Sequence, residues 1–388
     1  MRAQSFLSWA AFVSTAAAAP APLFTTQNED IIPQMYIVKL KEGIQTSDVN
    51  EVLSSHASNA KHVYNATSFR GFASKLDAAS LDTIRNDSQV EYVEQDVKFY
   101  LNAYLSVTPA PWGLARIAHR NNGSNKYTFE ASGGEGTCTY MIDTGINVNH
   151  PDFGGRATWL ANFADDDDTD GAGHGTYTAG VVGSTTWGVA KKTQLFAIKV
   201  FTSDGTADGN NVIAAINWVA QDAQTRSCPS GTIVNMSLGG GKTQSLNDAA
   251  RGLVNAGVFT VVAAGNSNED TANTSPGSEP SVCTVGASDS SDARASFSNF
   301  GSVVDVFAPG VDIESTSYQG GSTTASGTSA SSPIVAGLGA YLLALEGKQD
   351  PTALCDRIKS LSTKDKLTSL PSGTANNLAF NGNPYDTT

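Results

Sequence analysis

Thr139-Tyr140-Met141-Ile142-Asp143-Thr144-Gly145 is a mostly apolar run that stops on a carboxylate and a glycine. It reads as a buried strand, and similar runs follow at 194–201, 232–238, 258–264 and 282–288. Between them lie helical patterns: 210–224, with Val212, Ile213, Ile216 and Val219 on one face, and 245–255. Apolar strands alternating with helices predict an α/β architecture, a largely parallel twisted sheet covered by helices on both faces. Ligands of such sheets bind beyond the carboxyl ends of the strands, and Asp143 and Asn266 both fall there.

Residues 31–100 have a different texture. Met35-Tyr36-Ile37-Val38-Lys39-Leu40 alternates as a strand should, 48–56 reads as a helix, and Phe69-Arg70-Gly71-Phe72-Ala73 as a second strand. A helix at 78–85 and a strand at 90–96 then close a βαββαβ pattern, a small α+β domain of the ferredoxin-like kind.

The chain has 388 residues, enough for two or three domains, and only 16% of them are charged. A net charge of -13 argues against nucleic acid or an anionic membrane as partner, since both would repel it. Arg2, an apolar stretch at 6–13 and the run Ala16-Ala17-Ala18-Ala19 read as an export signal cleaved near Ala18 or Ala19. That stretch is shorter than the roughly 20 apolar residues of a membrane span. The longest later apolar run, 334–345, reads as a buried core helix. Cys138, Cys228, Cys283 and Cys355 lie far apart, which disfavours zinc. In an exported chain an even count favours disulfides, and spacing alone leaves all three pairings open.

Three short stretches carry chemistry: Met141-Ile142-Asp143-Thr144-Gly145, Gly173-His174-Gly175-Thr176 and Gly327-Thr328-Ser329-Ala330-Ser331-Ser332-Pro333. Ser329 is the expected nucleophile, ahead of a helix predicted from Pro333, where free N–H groups and the dipole favour an oxyanion. His174 is the expected general base, flanked by glycines that let backbone pass close. Asp143 would hold its tautomer and stabilise the imidazolium. Taken singly, Gly-Thr-Ser is usually a turn, a lone His usually structural, and Asp-Thr-Gly commonly a turn. Asp-Thr-Gly also occurs in aspartic proteases, which need two such segments where this chain has one. Together, in the order Asp, His, Ser, they follow subtilisin rather than chymotrypsin or the α/β-hydrolases. Val262-Ala263-Ala264-Gly265-Asn266-Ser267 adds Asn266, whose amide would donate to the oxyanion beside the Ser329 N–H.

Residues from about 110 to 380 resemble the proteinase K branch of the subtilase family in its fungal secreted form. The likeness rests on these motifs and on Ala110-Pro111-Trp112-Gly113-Leu114-Ala115-Arg116-Ile117, Gly188-Val189-Ala190-Lys191-Lys192 and the run from Ser278 to Ser288. The Tyr-Ile-Val-Lys-Leu opening at 36–40 and the close at 90–96 are similar to the family's propeptide inhibitor domain. The resemblance implies disulfides Cys138–Cys228 and Cys283–Cys355. It implies no cofactor for catalysis, and a structural calcium on the carbonyls of Pro280 and Val282 and the carboxylate of Asp305. Ser237-Leu238-Gly239-Gly240 resembles the strand that pairs with an extended peptide, with Thr206 and Gly209 flanking its other side. Leu238, Gly239, Ala263, Ala264 and Gly265 would wall the primary pocket with no acid among them, so cleavage after large apolar or aromatic residues is expected.

Several positions depart from the family pattern. Tyr177 replaces a second His, Ile334 a frequent His after the proline, and Gly209 an aromatic residue of the outer subsite. Lys366 falls where a second calcium site expects Asp, and Ala330 follows the nucleophile where Met is usual. Gly239-Gly240-Gly241-Lys242-Thr243 is no phosphate loop, because Met236 stands where Gly is needed. Asp165–Asp168 reads as a solvated loop. Sequons start at Asn65, Asn86, Asn122, Asn235 and Asn273, the fourth inside a predicted core strand.

The resulting expectation is a signal peptide at 1–19, an inhibitory propeptide at 20–102 and a peptidase at 103–388, with cleavage near Asn102-Ala103. The product is expected to be a monomeric secreted glycoprotein that hydrolyses proteins and peptides, its own propeptide acting as chaperone and inhibitor, with neither nucleic acid nor membrane as partner. A silent peptide-binding protein on the same fold is the rival reading, opposed by the complete set of four side chains. An α/β-hydrolase esterase would need Gly-x-Ser-x-Gly, and residue 331 is Ser.

Overall fold

The computed structural model describes residues 19–25, 31–45, 47, 50–52, 54, 60–66, 68–97 and 104–386. The expected export signal up to residue 18, most of the helix at 48–56 and the junction Asn102-Ala103 lie outside the described residues. The chain divides into two units, Met1–Leu101 and Asn102–Thr388.

In the first unit β1 (Leu23–Phe24), β2 (Ile31–Leu40), β3 (His62–Ala66), β4 (Phe69–Lys75) and β5 (Val90–Val97) form one sheet, ordered β1-β5-β2-β4-β3. Helix α1 (Ala78–Arg85) connects β4 to β5, and Asp77 caps it by accepting from Ser80 N at 2.8 Å. The order β5-β2-β4-β3 is that of the ferredoxin-like fold, and Val38, Phe72, Ile84 and Val93 are fully buried in its core. Strand β3 was not placed by sequence pattern: His62-Val63-Tyr64-Asn65-Ala66 is largely exposed on the sheet edge, so nothing enforces a hydrophobic alternation.

The second unit opens with β6 (Tyr104–Val107), α2 (Trp112–Ile117) and β7 (Tyr127–Glu130). Then come β8 (Thr137–Asp143), β9 (Ala157–Asn162), α3 (His174–Gly183), β10 (Gln194–Lys199), α4 (Gly209–Asp222), β11 (Gly231–Met236) and β12 (Gly240–Gly241). Next are α5 (Gln244–Asn255), β13 (Phe259–Ala263), β14 (Thr274–Ser275), β15 (Cys283–Ser288), β16 (Val306–Pro309), β17 (Ile313–Thr316) and β18 (Ser322–Ala325). The unit closes with α6 (Thr328–Glu346), α7 (Pro351–Leu361), β19 (Thr363–Lys364) and β20 (Asn377–Leu378). The main sheet runs β19-β20-β16-β15-β13-β11-β8-β10-β9, parallel except for β19 against β20.

The pleat explains why the central strands read as continuous apolar runs. Met141 of β8 points into the layer of α3, α6 and α7, while its neighbours Tyr140 and Ile142 point into the layer of α4 and α5. Truncating a side chain buried this way, such as Ile142 at 0% exposure, costs about 2–5 kcal/mol.

Helix α6 corrects one boundary. It starts at Thr328, five residues before the Pro333 from which a helix was expected, and it carries Pro333 inside. Proline has no N–H for the carbonyl four residues back, which here belongs to Ser329. That carbonyl accepts instead from Ser237 Oγ at 3.1 Å. The helix is long and apolar, but it is buried through most of its length as a core element.

Candidate active site

Asp143 is the last residue of β8, its side chain 2% exposed. Its Oδ1 accepts from His174 Nδ1 at 2.7 Å and from Thr144 N at 2.8 Å, and Oδ2 accepts from Thr178 Oγ1 at 3.2 Å. The buried carboxylate therefore faces donors on every side, and one of them is the imidazole. The negative charge of Asp143 raises the His174 pKa above its ordinary value against the opposing effect of burial. With Nδ1–H committed to Asp143, Nε2 carries the free lone pair. The His174 side chain is 40% exposed, so the ring is reachable from a cavity of about 250 Å³ lined by Thr144, Ala172, Phe201, Gly205 and Ser237.

The glycines around His174 make this meeting possible. A Cβ on Gly175 would lie 2.0 Å from the Gly145 carbonyl oxygen, so only glycine lets the first turn of α3 cross the segment after Asp143 so closely. Gly173 has φ +82°, in the left-handed region, with Tyr318 packed where a side chain would go.

Sequence reasoning missed two residues that hold this segment. Asp170 Oδ1 accepts from Thr144 Oγ1 at 2.6 Å and Gly173 N at 2.7 Å, and Oδ2 from Thr176 N at 2.7 Å and Thr176 Oγ1 at 2.5 Å. One buried carboxylate thus ties the residue after Asp143 to the residues on both sides of His174. Lys199, fully buried opposite Asp143 in the β8–β10 register, bonds Asp165 Oδ1 at 2.9 Å, Asp167 O at 2.7 Å and Thr169 O at 3.1 Å. The acid run is therefore not simply solvated: it wraps an internal ammonium. An acid three residues before a Gly-His-Gly, and a lysine ending an apolar strand, were the available signals.

Ser329 is the second residue of α6. Its hydroxyl donates to Ser237 O at 3.3 Å. Asn266 Oδ1 accepts from Thr328 N at 2.8 Å and Thr328 Oγ1 at 2.9 Å, which fixes the amide oxygen and frees Nδ2 as donor. A Cβ built on Gly327 would lie 3.4 Å from Asn266 Nδ2 and 3.6 Å from Ser329 N, so these two donors flank one small space.

Asn266 and Ser329 share a cavity of about 390 Å³ with Ser237, Leu238, Gly239, Gly240, Ala263, Ala264 and Gly265. Further lining residues were not anticipated. Phe201 borders both this cavity and the one at His174. Glu269 also lines it, an acid outside the five wall residues named from the sequence. Asn299 shapes the rim, its Oδ1 accepting from Ser267 N at 3.0 Å and Glu269 N at 3.1 Å. Thr206 and Gly209 lie on the exposed 202–209 segment and line neither cavity. A side chain at Gly209 would meet open space.

The disulfides are Cys138–Cys228 and Cys283–Cys355. Of the three expected calcium ligands, Asp305 has its Oδ2 on Thr284 N at 2.9 Å and its Oδ1 on Lys359 Nζ at 3.2 Å. Pro280 and Val282 precede β15 in the same region. Tyr177, in place of the second His, donates its hydroxyl to Ile313 O at 2.9 Å and packs as a core residue.

Residues 134–378 match the Subtilase family and residues 35–102 match Peptidase inhibitor I9. The chain is 51% identical to a subtilisin-like serine protease AsES of Sarocladium strictum and 50% identical to a cuticle-degrading protease of Metarhizium anisopliae, over 94% of each chain in both cases. It is 45% identical to proteinase R of Parengyodontium album, over 93% of this chain and 92% of that one. A solved structure of a cold adapted subtilisin-like serine proteinase superposes with TM-score 0.67 at 41% identity, covering 71% of this chain and 99% of the other. The chain belongs to the subtilase family, a subtilisin-type serine protease whose I9 region marks a zymogen.

Proposed function

We propose that this protease is exported, frees itself from its own propeptide and then cleaves proteins with broad specificity, chiefly after large apolar or aromatic residues. The observation that carries this reading is the 2.7 Å bond between Asp143 Oδ1 and His174 Nδ1, with Phe201 and Ser237 bordering both the cavity at His174 and the one shared by Ser329 and Asn266. Ser329 is the nucleophile and His174 its base. A turn of the serine side chain would move the hydroxyl from Ser237 O to His174 Nε2, a tightening commonly reserved for the substrate complex. Ser329 Oγ attacks the scissile carbonyl while Nε2 takes its proton. The oxyanion forms between Asn266 Nδ2 and the Ser329 N–H, and Asp143 stabilises the imidazolium. His174 then returns the proton to the leaving amine, and water hydrolyses the acyl-enzyme by the reverse sequence.

In this reading residues 1–19 direct export, 20–102 inhibit and assist folding, and cleavage near Asn102-Ala103 releases residues 103–388 as a monomer. Substrate backbone pairs with 237–240, and the walls at 238–239 and 263–265 receive the side chain before the scissile bond. Asn65, Asn86, Asn122 and Asn273 are exposed and would carry glycans, whereas Asn235 is fully buried. The test is mass spectrometry of the secreted wild type beside Ser329→Ala, with turnover of a chromogenic peptide bearing an aromatic residue before the scissile bond. The wild type should begin near residue 103 and turn over the peptide. The variant should retain its propeptide and be inert; processing and turnover undiminished in Ser329→Ala would overturn the assignment.

A further inference from the structure

We infer that the ammonium of Lys359 takes the place that the family resemblance gives to a structural calcium ion. Asp305 is the one charged group among the expected ligands, and both its oxygens are engaged, by Thr284 N at 2.9 Å and Lys359 Nζ at 3.2 Å. The lysine stands one turn beyond Cys355 on α7, and the Cys283–Cys355 bridge ties that helix to the first residue of β15. A fixed element therefore delivers the cation. Lys359 also meets Asp356 at 2.8 Å, so one ammonium serves two carboxylates.

The donor set does not suit calcium as it stands. Calcium takes six to eight oxygens and draws its affinity from the charge they carry. Here the single expected carboxylate is already matched by a positive charge, and an entering divalent ion would have to expel Lys359 or sit beside it. Grouped with Asp305 are the sulfurs of Cys283 and Cys355, which are joined to each other and offer no thiolate, and the Asp356 carboxylate is itself held by Lys359. Lys359 does what the ion would do: it neutralises a largely buried carboxylate and links the start of β16 to α7 and β15. Unlike calcium, it is present at fixed stoichiometry whatever the surrounding medium holds. Lys366, where a second site expects an acid, likewise bonds Asn121 Oδ1 at 3.1 Å.

The test uses the processed enzyme with Ser329 blocked by a sulfonyl fluoride, so that autolysis does not intrude. Melting temperature is measured in EDTA and in millimolar CaCl2 for wild type, Asp305→Asn, Lys359→Ala, Lys359→Gln and Lys359→Ala/Asp305→Asn, with terbium luminescence as a direct binding readout. Wild type should show no calcium response traceable to Asp305. Each Lys359 variant should melt lower in EDTA and recover by about 5 °C with calcium, as expected for a site filled well above its dissociation constant. The Asp305→Asn change should abolish that recovery. A wild-type protein that loses about 5 °C in EDTA in a manner Asp305→Asn removes would overturn the inference. So would folded single Lys359 variants that gain no response. Wild type beside Asp305→Asn decides the matter even if no Lys359 variant is secreted.

Discussion

The Ser237 hydroxyl donates to the Ser329 carbonyl, the group that Pro333 deprives of a helical partner. The same hydroxyl oxygen accepts from Asn235 Nδ2 at 2.9 Å and pairs with Ser332 Oγ at 2.9 Å, so its one donor and two lone pairs are all used. The Ser237 carbonyl in turn receives the Ser329 hydroxyl. Residue 237 therefore grips the nucleophile by both its backbone and its side chain. Ser237→Ala keeps the backbone grip and leaves a carbonyl unsatisfied, which should lower stability by about 1–3 kcal/mol. The looser first turn should reduce kcat about tenfold with little change in KM. Denaturant melts and steady-state kinetics check both, and a variant with wild-type kcat would show that the side-chain grip is dispensable.

The charge of Asp143 sets the acid limit of activity. It raises the pKa of His174, and the base works only when neutral, so activity should fall as pH drops through that raised value. Asp143→Asn removes the charge that favours the imidazolium. The residual activity, lower by roughly 10⁴-fold as for triad carboxylates replaced elsewhere, should show an acid limb displaced to lower pH. An acid limb that stays in place would mean another group titrates there.

Much of the candidate site was legible because the residues proposed to react end or begin regular elements. Asp143 closes an apolar strand, His174 and Ser329 open helices, and glycines flank each of them, so sequence marks the places where backbone must turn or pass close. Asp170 and Lys199 were harder to see. Their roles come from contacts made by a loop, and a loop acid has no periodicity to betray which way it points. Glu269 escaped because the wall of a cavity is made by residues several positions past the strand that defines it. The extension of α6 through Pro333 was hidden for a physical reason: the rule that proline ends a helix fails when a side chain from another strand satisfies the orphaned carbonyl.

Asp170 should behave as a positioning residue. Asp170→Asn keeps its size but replaces one acceptor oxygen with an N–H2 that faces donors, so at least one of its four bonds must break. His174 would then lose its register against Asp143, and kcat should fall by about 10²-fold, the scale of a misplacement near 1 Å. KM should stay within about twofold, since the residue does not line the cavity at Ser329. A change confined to KM would contradict this role.

Glu269 should widen specificity. Its exposed carboxylate sits on the cavity proposed to take the side chain before the scissile bond, where a long Lys or Arg stem would lie along the apolar walls with its charge near the rim. An exposed pair of this kind contributes at most about 1 kcal/mol. Glu269→Gln should therefore lower kcat/KM for a Lys substrate by up to about fivefold and leave a Phe substrate unchanged, an effect that raised salt should erase. Equal losses for both substrates would point to a distorted cavity instead.

Ala330 should make the enzyme resistant to peroxide. It is 1% exposed at the position after Ser329, where a thioether would gain a polar oxygen on oxidation. The methionines of the second unit, Met141 and Met236, are both fully buried in the sheet away from solvent, so dilute oxidant has little to attack. Activity should stay within about twofold after a peroxide exposure that inactivates an Ala330→Met variant. Mass spectrometry of the treated wild type locates any added oxygen. Rapid loss of activity with Met141 and Met236 intact would place the sensitive group elsewhere and remove Ala330 from the explanation.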